Sequence, residues 1–176
     1  MIRLTGGFHL NERSIIPEKT GHTPIKKRAI SNAAVLSEAY SDPKPCSYSR
    51  GMRIDLHGLT ILLISGTFPS DEHGNTVHIG DIRGQVRRTL ENISGLLASE
   101  GCSWHDVVRT TCYLRDMDRD YDAFNEVRTD FFNELSLDPL PASTGVEAKL
   151  CRPELLVDID AIVMFQTKDN IGNGGE

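Results

Sequence analysis

Alternating apolar and polar positions predict strands from residue 52 onward. In "MRIDLHG" every second side chain from Met52 to Leu56 is apolar, and the apolar run "LTILLISG" follows directly after Gly58. These two runs, joined by a glycine turn, predict a β-hairpin. Alternation in "DVVRTTCYLRDM", "STGVEAKL" and "ELLVDIDAIVMF" predicts three further strands. In the last of them, Asp158 and Asp160 lie on one face.

Two other segments carry apolar residues at every third or fourth position, which is typical of amphipathic helices. The first covers residues 79–99 and is followed by Gly101, a residue that commonly ends helices. The second covers residues 121–135. The resulting order β-β-α-β-α-β-β predicts an α+β domain in which two helices pack on one face of a mixed sheet.

Residues 1–45 differ from the rest of the chain in composition. They are rich in proline, contain the basic cluster Lys26–Arg28, and carry more basic than acidic side chains, whereas residues 46–176 are acidic. We predict an N-terminal extension or arm outside the core of a domain at 46–167, followed by a flexible tail at 168–176. The opposite charge favours contact between the arm and an acidic body; a loosely ordered tail is the alternative.

Composition narrows the class of protein. The chain has 176 residues and a formal net charge of -6, which argues against a nucleic-acid partner. No apolar stretch approaches the length of a membrane span, and the N-terminus lacks the apolar core of a signal peptide. The four cysteines and six histidines are scattered without metal-ligand spacing. We expect a cytoplasmic protein with reduced thiols, no metal, no cofactor and no membrane partner.

Five local phrases follow one another along residues 46–166: "SYSRG", "LISGTFPSDEHG", "QVRRTLENISGLLASEG", "DVVRTTCYLRDMDRDYDAFNEVRTDFF", and "PASTGVEAKL" with "LLVDIDAI". In this order and at these separations they resemble the YjgF/RidA (Rid, or L-PSP) family. The resemblance implies a chorismate-mutase-like fold and a homotrimer with clefts between subunits. It also implies hydrolysis of reactive enamines or imines, releasing ammonia without cofactor or metal. Some relatives are described as ribonucleases, and others have no known activity.

The resemblance also assigns roles to residues. Asp158 corresponds to the family's catalytic carboxylate, which is usually a glutamate, and Tyr48 corresponds to its cleft tyrosine. Ser65 and Gly66 match a turn at the cleft, and Arg50 stands where the family usually has glutamine. Asp158 would then act as the general acid and base, with its pKa raised by burial.

One departure from the family concerns the clamp for the substrate carboxylate. Imine-deaminating members have arginine where this chain has Ser143, and often cysteine where it has Gly145. A neutral hydroxyl binds an anion more weakly than a guanidinium does, so we expect ordinary 2-imino acids to bind poorly. Ser143, Thr144 and the N–H of Gly145 would instead cradle an oxygen, and Arg50 or Arg152 would supply the anion partner.

Less specific interpretations of these residues remain open. Asp158 and Asp160 would look the same on an exposed strand face, and Tyr48 on a sheet edge. Arg50 and Arg152 are equally consistent with solvated charges, and Gly145 with a β-bulge. The favoured function is a specialised Rid-type enzyme acting on a small enamine, imine or enol ether. The alternative is a trimeric metabolite-binding or regulatory protein without catalysis; the acidic charge disfavours a nuclease.

Overall fold

In the described part of the chain, one six-stranded sheet carries two α-helices on one face. The structure is a computed structural model that describes residues 25–38 and 46–167. The strands are β1 Lys27–Ile30, β2 Gly51–Leu56, β3 Leu59–Thr67, β4 Val107–Leu114, β5 Ala142–Glu147 and β6 Val157–Gln166; the helices are α1 Ile82–Ser99 and α2 Met117–Glu134. The strand order is β1-β2-β3-β6-β4-β5, with β4 and β5 parallel and the other pairs antiparallel. The predicted α+β architecture is confirmed.

The β2–β3 hairpin closes as the sequence predicts. His57 and Gly58 form its turn with φ angles of 46° and 83°. Positive φ at both central residues is the conformation whose twist matches the strands it joins. Glycine adopts it without strain, which explains why the apolar pattern is interrupted at that residue.

The helix boundaries differ from the predicted ones by a few residues. α1 begins at Ile82 instead of residue 79 because His78 and Gly80 have positive φ. α2 begins at Met117 instead of residue 121 because the Asp116 side chain accepts the Arg119 N–H and caps the helix. Within the described residues, neither helix is apolar enough over its length to cross a membrane.

The hydrophobic core lies between the helices and the sheet. Apolar side chains of α1, α2 and the sheet meet there around the ring of Trp104. In β6 the alternation places Val157, Ile159 and Ala161 in this core and leaves Asp158 and Asp160 on the opposite face. The face without helices is therefore the face that carries the candidate site.

The structure corrects one expectation about the N-terminal segment. β1 pairs with β2, and Ile30 and Leu36 are 0% and 2% exposed, so residues 25–38 pack on the domain and contribute two side chains to its core. Because only one side chain of this short, basic strand is buried, its alternation gives no recognisable signal. Residues 1–24, 39–45 and 168–176 lie outside the described residues, so the predicted arm over these N-terminal residues and the predicted tail stay predictions.

Candidate active site

An open cavity of about 620 Å³ occupies the helix-free face of the sheet. It is built mainly from β3 and β6, with side chains from β4 and from the segments before β2 and β6. Four residues predicted for the site line it together: Tyr48, Ser65, Gly66 and Asp158. Its other lining residues are Leu63, Ile64, Phe68, Thr111, Cys151, Asp160, Ala161 and Ile162.

A β-bulge in β3 forms the floor of this cavity. Ile64 pairs with Ala161 and Thr67 with Ile159, so β3 has one residue more than β6 between these pairs. The bulge falls at Ser65 and Gly66, and bulges commonly redirect side chains beside functional sites. The Ser65 hydroxyl donates to the Ser49 carbonyl at 2.7 Å, so it also holds the segment that carries Tyr48.

Gly66 leaves the space that the Asp158 carboxyl fills. A Cβ atom at residue 66 would lie 2.8 Å from Asp158 Oδ1 and 3.2 Å from Oδ2. Contacts this short force one group to move. The absence of a side chain at residue 66 therefore allows the carboxyl to sit where it does.

Asp158 is half-buried, and its environment favours the protonated form. Oδ1 is inaccessible to solvent and has no hydrogen-bond partner among the described residues. Burial, followed by the negative charge of Asp160, raises the pKa of Asp158 to about 6, against a smaller lowering by the N–H of Ile159. A carboxyl with this pKa gives up and takes back protons near neutral pH, as a general acid and base requires.

Asp160, two residues further along the same face, has a different environment. Its Oδ1 accepts the N–H of Thr111 and its Oδ2 accepts the hydroxyl of Tyr113, both at 3.2 Å. The charge of Asp160 is the main cause of a raised pKa at Tyr113. Both oxygens of Asp160 thus accept hydrogen bonds, whereas Oδ1 of Asp158 accepts none among the described residues, a division that separates proton carriers from fixed charges. The described residues contain no cluster of three or more potential metal ligands.

Thr111 and Tyr113 are site neighbours that sequence reasoning missed. They lie on the helix-free face of β4, where Thr111 pairs with Asp160 and Tyr113 with Asp158. The alternation of β4 already placed both on one face. The order of the strands, which places β4 beside β6, could not be predicted from the sequence.

Arg50 and Arg152 both flank the ring of Phe68, at 5.7 and 4.5 Å from its centroid, but neither lines the cavity. Arg50 is 3% exposed, so the interpretation as a solvated charge is wrong for this residue. Its Nη1 donates to the Tyr48 hydroxyl at 3.0 Å and its Nε to the Ser37 carbonyl at 2.7 Å. Arg50 therefore positions Tyr48 at the cavity. An anion-binding role for either arginine stays a prediction.

The Ser143–Gly145 segment does not share this cavity within one chain. Ser143 accepts from Arg128 Nη1 at 3.1 Å and from the Thr110 hydroxyl at 3.1 Å, so it faces the helices. Thr144, on the opposite face of β5, accepts from Arg109 Nη2 at 3.2 Å. The register of β4 and β5 continues through Gly145, so the β-bulge interpretation is wrong. Ser143 and Asp158 thus lie on opposite faces of the sheet.

Comparison with known proteins identifies the family. The family described as Endoribonuclease L-PSP matches residues 42–165. The chain belongs to the L-PSP, or YjgF/RidA, family. Among related L-PSP sequences, a RutC family protein from Pyrococcus horikoshii is 36% identical over 121 residues, 68% of this chain and 89% of that protein. The 3-aminoacrylate deaminase RutC of Acinetobacter baylyi is 36% identical over 102 residues, 58% of this chain and 77% of that protein.

Solved structures agree with membership of the L-PSP family. The crystal structure of a putative endoribonuclease from Thermotoga maritima matches with a TM-score of 0.64 and 26% identity. The match covers 80% of this chain and 98% of that one. The predicted family resemblance and fold class are therefore confirmed.

Proposed function

We propose that the protein is a Rid-type deaminase that hydrolyses a small enamine, with Asp158 as its proton carrier. The observation that carries this proposal is a half-buried carboxyl on an open cavity, with its pKa raised to about 6 and one buried oxygen without a hydrogen-bond partner among the described residues. Family membership supports it, as does similarity to a relative named 3-aminoacrylate deaminase.

The reaction begins with protonation of carbon. Protonated Asp158 donates its proton to the enamine carbon that does not bear nitrogen, and the nitrogen lone pair forms a C=N bond, giving an iminium ion. Water then adds to the iminium carbon while the Asp158 carboxylate accepts one of its protons. That proton passes to nitrogen, the C–N bond breaks while the carbinol hydroxyl returns its proton to the Asp158 carboxylate, and a carbonyl compound and ammonia leave. Enamine and water are consumed, and no electrons are exchanged with another reactant.

The other cavity residues would position the substrate. Tyr48 presents a hydroxyl held by Arg50, and Phe68 offers an apolar wall to the carbon chain. The predicted homotrimer is part of this proposal, because Ser143 and Asp158 face opposite sides of one sheet. They would meet in one cleft only across a subunit boundary.

Release of ammonia from 3-aminoacrylate tests the proposal. We expect Asp158→Asn to lower kcat by about 10²–10⁴-fold, the usual contribution of general acid–base catalysis. Asp118→Asn is a suitable control because this carboxylate is exposed at the start of α2. Parental turnover by Asp158→Asn would refute the mechanism. We expect 2-iminobutyrate to be a poor substrate because Ser143 lacks a guanidinium.

A metabolite-binding protein without catalysis is the second candidate function. The neutral Ser143 favours it, since a cleft that has lost its usual clamp has less use for the usual substrate. Calorimetric binding of a small enamine analogue by the parent protein, with no ammonia released from any enamine or imine supplied, would decide for this candidate.

A further inference from the structure

Arg128 is a half-buried cation whose contacts are all neutral. Its Nη1 donates to Ser143 Oγ at 3.1 Å and its Nη2 to Asn125 Oδ1 at 2.7 Å. The guanidinium also lies 4.8 Å from the centroid of the Phe124 ring. Among the described residues Arg128 forms no salt bridge, whereas Arg119 on the same helix pairs with carboxylates. The hydroxyl, the amide and the aromatic ring that contact Arg128 carry no net charge. They therefore do not neutralise the positive charge of its guanidinium.

The guanidinium opens onto a cavity of about 170 Å³ between α2 and the start of β5. The side chains of Asn125, Thr129 and Ser143 provide polar groups on its walls, and Leu140 and Pro141 provide apolar surface. A guanidinium has five N–H bonds, and the contacts with Ser143 and Asn125 use two of them. A small monoanion bearing a short carbon chain fits this combination of charge, hydrogen-bonding groups and size.

We propose that Arg128 binds the carboxylate of the substrate in this cavity. The inference rests on the proposed function and deepens it. The guanidinium already contacts Ser143, the residue that stands in place of the family's arginine, but it reaches this point from α2 instead of β5. A carboxylate accepts two parallel N–H bonds from a guanidinium, which fixes its orientation as well as its position.

Because the guanidinium of Arg128 comes from α2 and the family's arginine comes from β5, the two are expected to select different substrates. An arginine that projects from α2 holds the substrate carboxylate at one distance from Asp158. An arginine on β5 would hold it at a different distance. The separation between the carboxylate and the reacting carbon must match that distance. The protein is therefore expected to select enamines whose separation differs from that of 2-imino acids.

Calorimetric titration with propionate, an unreactive carboxylate, tests the inference in the full-length protein. We expect Arg128→Gln to weaken propionate binding about tenfold or more, since bonds between charged groups are lost. Arg128→Lys keeps the charge and should retain part of the affinity. Arg109→Gln removes a guanidinium hydrogen-bonded at 3.2 Å to the neighbouring Thr144, and it should leave binding unchanged. Circular dichroism verifies the fold of each variant.

A double variant makes the test stricter. Ser143→Arg introduced into Arg128→Gln returns a guanidinium to the same cavity from β5, and we expect it to restore part of the propionate binding. Parental affinity in Arg128→Gln, or no propionate binding by the parent protein, would overturn the inference. So would an equal loss of affinity in Arg109→Gln.

Kinetics separate this inference from the proposed function. If the protein deaminates an enamine, Arg128→Gln should raise KM about tenfold and change kcat little, because the clamp holds the ground and transition states alike. An unchanged KM refutes the role of Arg128 alone. A different result is that the protein binds propionate through Arg128 and releases no ammonia from any enamine. That result would refute the proposed deaminase activity but support the carboxylate site.

Discussion

Replacing Asp158 by asparagine should stabilise the folded protein at neutral pH while removing its activity. The carboxyl has a pKa of about 6 in the folded state, against 3.8 for an unperturbed aspartate. The folded protein therefore binds this proton more tightly than the unfolded chain does. The free energy of unfolding therefore decreases as pH rises from about 4 to about 6, because the carboxyl must ionise in an unfavourable environment. Above that range this loss of stability is constant. Asparagine is neutral at every pH and carries no such deficit.

The size of the effect follows from the shift in pKa. A change from 3.8 to about 6, at about 1.4 kcal/mol for each pKa unit, corresponds to about 3 kcal/mol at pH 7. The buried asparagine amide loses hydrogen bonds to water, a cost of about 1 kcal/mol. We therefore expect Asp158→Asn to raise the free energy of unfolding by about 2 kcal/mol at pH 7, or the Tm by about 4–8 °C.

Urea unfolding of both proteins between pH 5 and 8 measures this difference. The contribution of the carboxyl itself should be about half as large at pH 5 as at pH 7, because the protonated fraction of the folded state rises. Asp118→Asn, an exposed change, should show no such pH-dependent gain. A loss of stability in Asp158→Asn at pH 7 would refute the reasoning, because it would mean that the ionised carboxylate has a cationic partner in the native assembly.

Three shorter predictions address the same molecule. For an enamine substrate, kcat/KM should fall about tenfold for each pH unit above about 6, since protonated Asp158 is required; a flat profile would exclude it as the acid. Gly66→Ala should lower kcat at least about tenfold by displacing that carboxyl, with far-UV circular dichroism unchanged; parental kcat would contradict this. Glu100→Gln should cost about 1–3 kcal/mol in urea unfolding because its 3% exposed carboxylate accepts from Arg28 and Arg53; unchanged stability would show that these bonds contribute nothing.

The fold was largely predictable because its elements carry strong periodic patterns. β3 and β6 alternate or run apolar over nine and ten residues, and both helices keep one apolar stripe over five turns. β1 was missed because four residues, "KRAI", with only Ile30 buried, give no measurable period. Its place beside β2 depends on contacts such as that of Arg28 with Glu100, which lie 72 residues apart.

The candidate site was predictable only in part. Tyr48, Ser65, Gly66 and Asp158 share one cavity, as the resemblance implied for a cleft. The burial of Arg50 was not predictable, since arginine is usually exposed and its partners here include the Ser37 carbonyl and the Tyr48 hydroxyl. The role of Arg128 was not predictable for a related reason. The helical pattern of α2 shows that this position is polar, but not that it faces Ser143.

The two proposed half-sites lead to a prediction that neither makes alone. Asp158 and the Arg128 cavity lie on opposite faces of the sheet, so a substrate of a few carbons cannot contact both within one chain. A complete site then takes Asp158 from one subunit and Arg128 from its neighbour, as in clefts shared around a ring.

Mixing two defective proteins tests whether such a shared site exists. Asp158→Asn and Arg128→Gln are each expected to turn over little enamine at substrate concentrations below the parental KM. When equal amounts are unfolded together and refolded, random assembly of the proposed trimers should leave about one cleft in four with both native residues, and about a quarter of the parental activity should return. Activity that stays at the sum of the two separate variants would show that the residues do not act across a subunit boundary. In that case the carboxylate site at Arg128 would be unrelated to the chemistry at Asp158.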